Sequence, residues 1–358
     1  MSSKLLDKLK KNSTSKLSSV LDESILYSEV KHVATDIPVF NIALSGSLDG
    51  GLTSGLTMFA GPSRHFKTAF SLLCAKAYLD KHKDAVLLFY DSEFGSPQAY
   101  FRSFGIDPGR VYHTPIVDIE GLKFDIMAQL QNINRGDHVI IVIDSIGNVA
   151  SKKEVDDAID QKSVADMTRA KQLKSLFRMV TPHLTLKDIP MIAVNHTYKE
   201  QGLYPKDVVS GGTGSYYSSS NIFVIGRRQE KTGTEVTGYD FIIRIEKSRY
   251  TREGAKIPVT VTFSGGINKW SGLLEIAMEG GFVIKPSNGW YSRIDRETAE
   301  VENKKYREKD TYNDEFWNPI LNSYKFREYV RKRYSICDDL IMRETDDVSI
   351  TTAVDNDE

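Results

Sequence analysis

The chain has 358 residues, of which 40% are hydrophobic and 27% charged, with a formal net charge of -1. It is too long for one small domain and suits one large α/β core with flanking segments. No apolar run approaches the roughly 18 residues of a membrane span, the first residues lack the apolar centre of a secretion signal, and the near-neutral charge excludes a generally basic surface, so any nucleic-acid contact must come from local loops.

Residues 4–21 read as an amphipathic helix with Leu5, Leu6, Leu9, Leu17 and Val20 on one side, either a packing helix or an arm that links protomers. From Ile37 the pattern changes to short apolar runs divided by long amphipathic stretches, the mark of a parallel sheet covered by helices. Strands are predicted at Leu56–Ala60, Ala85–Tyr90, Val139–Ile143, Met191–Asn195, Ile222–Ile225, Phe241–Ile245 and Ile257–Phe263. Helices are predicted at Thr68–Lys81, Ile119–Asn134 and Val164–Pro182. Glycine-richer residues 264–288 close the core, residues 293–310 are heavily charged, and Phe316–Tyr334 carries aromatics at helical spacing. The tail from Asp338 is acidic and reads as mobile. Cys74 and Cys337 lie too far apart in sequence to suggest a disulfide framework or a zinc site, which fits a reducing cytoplasm.

Gly61-Pro62-Ser63-Arg64-His65-Phe66-Lys67-Thr68 follows an apolar strand and opens a helix, the setting that makes a phosphate-binding loop credible. Backbone N–H groups and the helix N-terminus would surround nucleotide phosphates, Lys67 would neutralise the outer ones, and the Thr68 hydroxyl would hold Mg2+. Phe66 stands where such loops carry glycine. The amides still point inward if Phe66 takes right-handed helical angles with its ring turned outward. The strand Val139–Ile143 ends in Asp144, placed to hold the Mg2+ shell. A second strand leads to Asp91-Ser92-Glu93, where Glu93 would polarise an attacking water. Together these three elements read as an ATP-hydrolysing site.

The order of these motifs resembles the RecA family, and within it the branch carried by T4-type phages. The similarity lies in residues 37–61, Phe89-Tyr90-Asp91-Ser92-Glu93-Phe94-Gly95, Val142-Ile143-Asp144-Ser145-Ile146-Gly147-Asn148, Asp166-Met167-Thr168-Arg169-Ala170-Lys171 and Asn195-His196-Thr197-Tyr198. That branch also shares the phenylalanine of the phosphate loop. The resemblance implies a RecA-like α/β core with a mostly parallel central sheet, an N-terminal helical arm and a small C-terminal region. It implies that Glu93 activates water, that Tyr100 stacks on adenine and that His196 senses the γ-phosphate. Histidine at that place would add a pH dependence, and a purely structural His196 and a merely packed Tyr100 stay open.

Two connections follow Asp144 and Asn195 at the strand ends where open α/β sheets place ligands. The first, residues 147–163, offers Asn148, Lys152 and Lys153 among acidic residues. The second, residues 198–216, offers Lys199, Lys206, Gly211 and Gly212, with Tyr198, Tyr204 and Tyr216 as flat faces for bases. Backbone amides and a few lysines grip phosphates without reading sequence, and the resemblance makes these the DNA-binding loops. Lys247 and Arg249 close a strand. In an extended chain residues two apart share a side, so both reach one anion or are plain solvated charges. The resemblance implies that they contact ATP held by the neighbouring protomer.

The reading is an ATP- and Mg2+-dependent DNA recombinase, a DNA-dependent ATPase that forms helical filaments of itself on single-stranded DNA and exchanges strands with homologous double-stranded DNA. The partners implied by the resemblance include a single-strand-binding protein and a recombination mediator, and the lack of a long apolar run predicts no membrane partner. A ring-forming helicase of the same fold would share the phosphate loop, Asp144 and the catalytic glutamate and is the alternative. A nucleotide-gated assembly protein without strand exchange stays open too. The division expected is an arm over 1–30, an ATPase and DNA-binding core over 31–270, a C-terminal helical region over 271–337 and an acidic tail over 338–358.

Overall fold

Short apolar runs bounded by glycine and turn residues become the strands of one sheet, and the amphipathic stretches between them become its two coverings. The computed structural model describes residues 4–24, 26, 30–160, 168–200, 207–296 and 298–336. In chain order the elements are α1 Lys4–Asn12, α2 Pro38–Ser45, β1 Gly55–Ala60, α3 Lys67–Lys81, β2 Val86–Asp91, α4 Gln98–Ser103, β3 Val111–Pro115, α5 Ile119–Asn132 and β4 Val139–Asp144. There follow α6 Lys152–Ile159, α7 Thr168–Lys187, β5 Pro190–Asn195, β6 Thr197–Lys199, β7 Asp207–Val209, α8 Gly212–Ser218, β8 Asn221–Thr232, β9 Glu235–Lys247 and β10 Lys256–Thr262. The C-terminal part carries β11 Gly266–Ile267, α9 Leu273–Glu279, β12 Val283–Ser287, β13 Trp290–Arg293, β14 Tyr306–Arg307, α10 Asp314–Leu321 and α11 Tyr324–Tyr334.

Among the described residues nine strands form the main sheet in the order β11-β10-β9-β8-β1-β5-β4-β2-β3. The strands from β8 across to β3 pair in parallel, and β9, β10 and β11 pair antiparallel. This is the mostly parallel α/β core expected. All seven predicted strands form. The runs around Ile222 and Phe241 extend into a long hairpin, because their polar outer residues alternate with apolar ones along one solvated face.

Side-chain alternation along the strands builds two cores. Phe59, Phe89, Ile140 and Val142 belong to a core with Phe70 of α3 and Phe40 of α2 that continues to Trp317 and Phe326 of the C-terminal helices. Met58, Leu88, Ile141 and Ile143 face α5 and α7, packing with Ile126, Leu130, Leu173 and Phe177. The rings of Phe40, Phe59 and Phe70 lie 5.1 to 6.0 Å apart, the spacing at which aromatic pairs add about 1 kcal/mol beyond their burial.

Several boundaries differ from the sequence reading. The N-terminal helix stops at Asn12 rather than 21, with the polar run Asn12-Ser13-Thr14-Ser15 after it. None of its residues is buried, and Leu17 lies beyond it, exposed. Helix α7 runs through Pro182 to Lys187, since Leu184 is buried on the same face as Leu173, Phe177 and Val180. Its predicted start at Val164 lies outside the described residues. Phe316–Tyr334 divides into α10 and α11 at Asn322-Ser323. The two connections predicted as loops contain α6, opened by a capping box of Ser151 and Glu154, and α8. Among the described residues no helix is long and apolar enough to cross a membrane.

Candidate nucleotide site and DNA-facing loops

The phosphate loop leaves β1 at Gly61, where a Cβ would lie 2.8 Å from the Ile225 carbonyl of the neighbouring strand, so only glycine allows this approach. Left-handed turns at Arg64 (φ 61°) and Phe66 (φ 60°) then curl the loop into the start of α3. Phe66 therefore does not take the right-handed angles expected of it. It adopts the conformation that glycine would supply, at a cost of about 1 kcal/mol. Its ring does not turn outward. It stacks on Phe241 of β9 at 4.7 Å and meets Phe70 edge-on at 5.5 Å, which offsets the backbone strain.

Lys67 is buried, and its Nζ donates to the Pro62 carbonyl at 2.7 Å. Burial lowers its pKa, against the opposing pull of Glu93 and Asp144. Thr68 Oγ1 donates to Asp144 Oδ2 at 2.7 Å. Asp144 Oδ1 is buried with no hydrogen-bond partner, and burial pushes the acid up to about 6. A buried carboxylate oxygen without a donor, beside a hydroxyl, is the donor set of a hard cation, so Thr68 and Asp144 fit Mg2+.

Glu93 is placed by a device that sequence reading missed. Asp91, buried at the end of β2, accepts from the backbone N–H groups of Glu93 (3.0 Å) and Phe94 (2.7 Å) and so folds the turn that presents the glutamate. An acid two residues before another acid at a strand end is the signal that was available. Ser145 Oγ donates to Glu93 Oε1 at 2.7 Å, Asn148 Nδ2 donates to the same oxygen at 3.2 Å, and His196 Nε2 lies 3.4 Å from it. The contact with His196, ahead of that with Ser145, lowers the pKa of Glu93 against its partial burial. A cavity of about 270 Å³ gathers Ser63, Arg64, His65, Phe66, Lys67, Thr68, Glu93, Tyr100 and His196 on its walls. Tyr100, half-buried, lines it while packing edge-on with Phe104.

The two loops rise from the same edge of the sheet. Asn148 is exposed, but its amide is directed to Glu93. Lys152 and Lys153 open α6, where Lys153 pairs with Asp157 at 3.3 Å. Arg169, at the start of α7, clasps the first loop by donating to the carbonyls of Ile146, Gly147 and Val149. On the second loop Lys199 pairs with Asp207 across β6 and β7 at 2.8 Å. Asn195 Nδ2 donates to the Ser210 carbonyl at 2.7 Å and closes the loop's base. Gly211 and Gly212, both left-handed, turn the chain into α8. Lys206 and Tyr204 lie outside the described residues.

Lys247 and Arg249 do not share one strand face. The strand ends at Lys247, and Ser248 Oγ accepts from the N–H groups of Tyr250 and Thr251 to bend the chain. Lys247 Nζ donates to the carbonyls of Tyr216 (2.9 Å) and Tyr217 (3.4 Å) at the end of α8. Arg249 borders a groove with His32, Asp49 and Arg331. Lys247 lies back from the cradle along the strand direction. Antiparallel β9 brings Lys247 beside Ile222, which pairs with Met58, whereas the cradle begins beyond Ala60.

A family model described as the RecA N-terminal domain matches residues 7–268, and one described as the C-terminal domain of the bacteriophage T4 recombination and repair protein matches residues 270–330. The chain is 49% identical over 338 residues to the recombination and repair protein of Enterobacteria phage T4, covering 93% of this chain and 86% of that protein. It is 24% identical to the protein RecA of Tropheryma whipplei over 81% of this chain and 67% of that one. It is 25% identical to the protein RecA of Bacteroides thetaiotaomicron, with coverage of 76% and 80%.

Proposed function

The chain belongs to the RecA family as a recombinase of DNA recombination and repair, and from that premise we propose that it binds ATP in the cradle, assembles as a helical filament on single-stranded DNA, and exchanges strands with a homologous duplex. The observation that carries the nucleotide reading is the single cavity that brings Lys67, Thr68, Glu93, Tyr100 and His196 together in front of Asp144.

In this reading Lys67 exchanges the Pro62 carbonyl for the outer phosphates, and the N-terminal amides of α3 receive their oxygens. Tyr100 offers its face to the base. Mg2+ held by Thr68 and Asp144 would neutralise charge on the phosphates. Glu93 Oε1 is occupied by its donors, so Oε2 is the atom that takes a proton as water attacks the γ-phosphorus and ADP leaves. Lys152, Lys153, Lys199, Lys206 and the backbone at Gly211 and Gly212 hold DNA phosphates, and Lys247 and Arg249 serve the ATP of the adjoining protomer. Residues 1–30 form the linking arm, 31–270 the core, 271–337 the C-terminal region and 338–358 an acidic tail that competes for the DNA surface. A single-strand-binding protein and a mediator would control loading in the cytoplasm of an infected host.

Joint-molecule formation between single-stranded DNA and a duplex tests the proposal. Product is expected with homologous duplex and ATP only, from helical filaments seen by electron microscopy. Closed six-membered rings without joint molecules would instead identify a helicase. Glu93→Gln should retain ATP and DNA binding while turnover falls by about 100-fold or more; normal hydrolysis by that variant would remove Glu93 from the mechanism.

A further inference from the structure

Glu93 is tied to both loops unequally. Ser145 is fully buried at the end of β4, and its backbone is locked to Ser92, with Ser145 N donating to Ser92 Oγ at 3.0 Å and Ser92 Oγ donating to the Ser145 carbonyl at 2.7 Å. Its hydroxyl is a fixed part of the site. Asn148 instead stands exposed on the first loop, and its amide reaches back 3.2 Å to the same carboxylate oxygen. The residue before it is glycine, and a Cβ there would lie 2.2 Å from His196 Cδ2 and displace the imidazole. The loop backbone thus lies against the His196 ring and brings its amide in beside the imidazole.

We infer that Asn148 is a positioning residue that holds the Glu93 carboxylate back in the DNA-free protein, and that a phosphate of bound single-stranded DNA takes over the Asn148 amide and frees it. The inference rests on the reading of Glu93 as the group that activates water. An oxygen that receives Ser145, Asn148 and His196 has its lone pairs engaged, and a carboxylate so solvated is a weaker base and is fixed in one rotamer. The Asn148 amide is the exchangeable member of the set. It is neutral, so its departure leaves no buried unpaired charge, and it is exposed, so transfer to a phosphate oxygen carries little desolvation cost. The clasp of Arg169 on the Ile146, Gly147 and Val149 carbonyls holds the backbone on either side of Asn148, which confines the exchange to the side chain.

The test compares ATP turnover with and without saturating single-stranded DNA in full-length Asn148→Ala. Loss of one hydrogen bond of ordinary strength should raise DNA-free turnover roughly 2- to 10-fold. The DNA-saturated rate should rise much less than the DNA-free one, so the stimulation by DNA shrinks. Asn148→Gln, which restores an amide on a longer stem, should return the DNA-free rate toward its original value. Unchanged or reduced DNA-free turnover in Asn148→Ala, with an unaltered melting temperature, would overturn the inference. Glu93→Gln separates the two layers. If it is inactive while Asn148→Ala is silent, only the tether falls; if it hydrolyses at the parent rate, the assignment of Glu93 falls with it.

Discussion

Asp144→Asn should make the nucleotide-free protein more stable at neutral pH while abolishing Mg2+-dependent nucleotide binding. Asp144 is 3% exposed, receives one hydroxyl on Oδ2 and none on Oδ1, and is pushed from 3.8 to about 6, chiefly by burial. The rise from 3.8 to about 6 corresponds to roughly 3 kcal/mol between the protonation states. Because the folded-state pKa is raised, the contribution of this group is fully present below about pH 4 and is lost as pH rises through about 6. At pH 7.5 the ionised carboxylate therefore costs the fold about 3 kcal/mol that asparagine, isosteric and still able to accept from Thr68, does not. Urea unfolding in EDTA without nucleotide should show a gain of about 2–3 kcal/mol for the variant at pH 7.5, shrinking to about half at pH 5 and nearly vanishing at pH 4. A variant no more stable than the parent at pH 7.5, or a gain that does not change with pH, would refute the reasoning that burial without a cation destabilises this carboxylate.

Two further outcomes are expected. Phe66→Ala loses the stack on Phe241 and keeps a strained left-handed backbone, whereas Phe66→Gly loses the stack and relieves the strain, so thermal melts should place the glycine variant about 1 kcal/mol above the alanine variant; equal stability would mean that Phe66 is not left-handed. Arg249→Ala and Lys67→Ala chains should each turn over ATP poorly on DNA, and an equal mixture should recover activity at about a quarter of its junctions; an inactive mixture, or full activity of Arg249→Ala alone, would exclude an essential cation acting across the interface.

The core strands were legible because parallel strands buried on both faces read as continuous apolar runs, as in Val139–Ile143. Strand β3 was not, since at the sheet edge Tyr112 is exposed and His113 and Thr114 break the apolar pattern. Helix α6 was hidden by its charges, although Ser151 and Glu154 already spelled a capping box. Lys67, Thr68 and Asp144 could be named from sequence because strand-loop-helix geometry fixes them. The conformation of Phe66 could not, because it depends on Phe241, 175 positions away in the chain. The place of Asn148 on the loop predicts a DNA contact, and only the folded chain shows its amide on Glu93.

The direction of β9 decides what Lys247 and Arg249 can reach. Had the sheet remained parallel past β8, a strand ending in these residues would deliver them to the cradle edge, beside Lys67, where further cations would serve the chain's own nucleotide. The reversal at β9 runs Lys247 back to the start of β8, level with Met58 of β1 and against the end of α8. There Lys247 sits on the last carbonyls of the helix that leaves the second loop, and burial together with the charge of Arg249 lowers its pKa. In the proposed reading these two cations, turned away from their own phosphate loop, would serve an anion that this chain does not itself supply. In the head-to-tail filament proposed above, where one surface of each protomer meets a different surface of the next, that anion would be the nucleotide of the neighbour, and the strand reversal would make ATP a component of the contact between protomers.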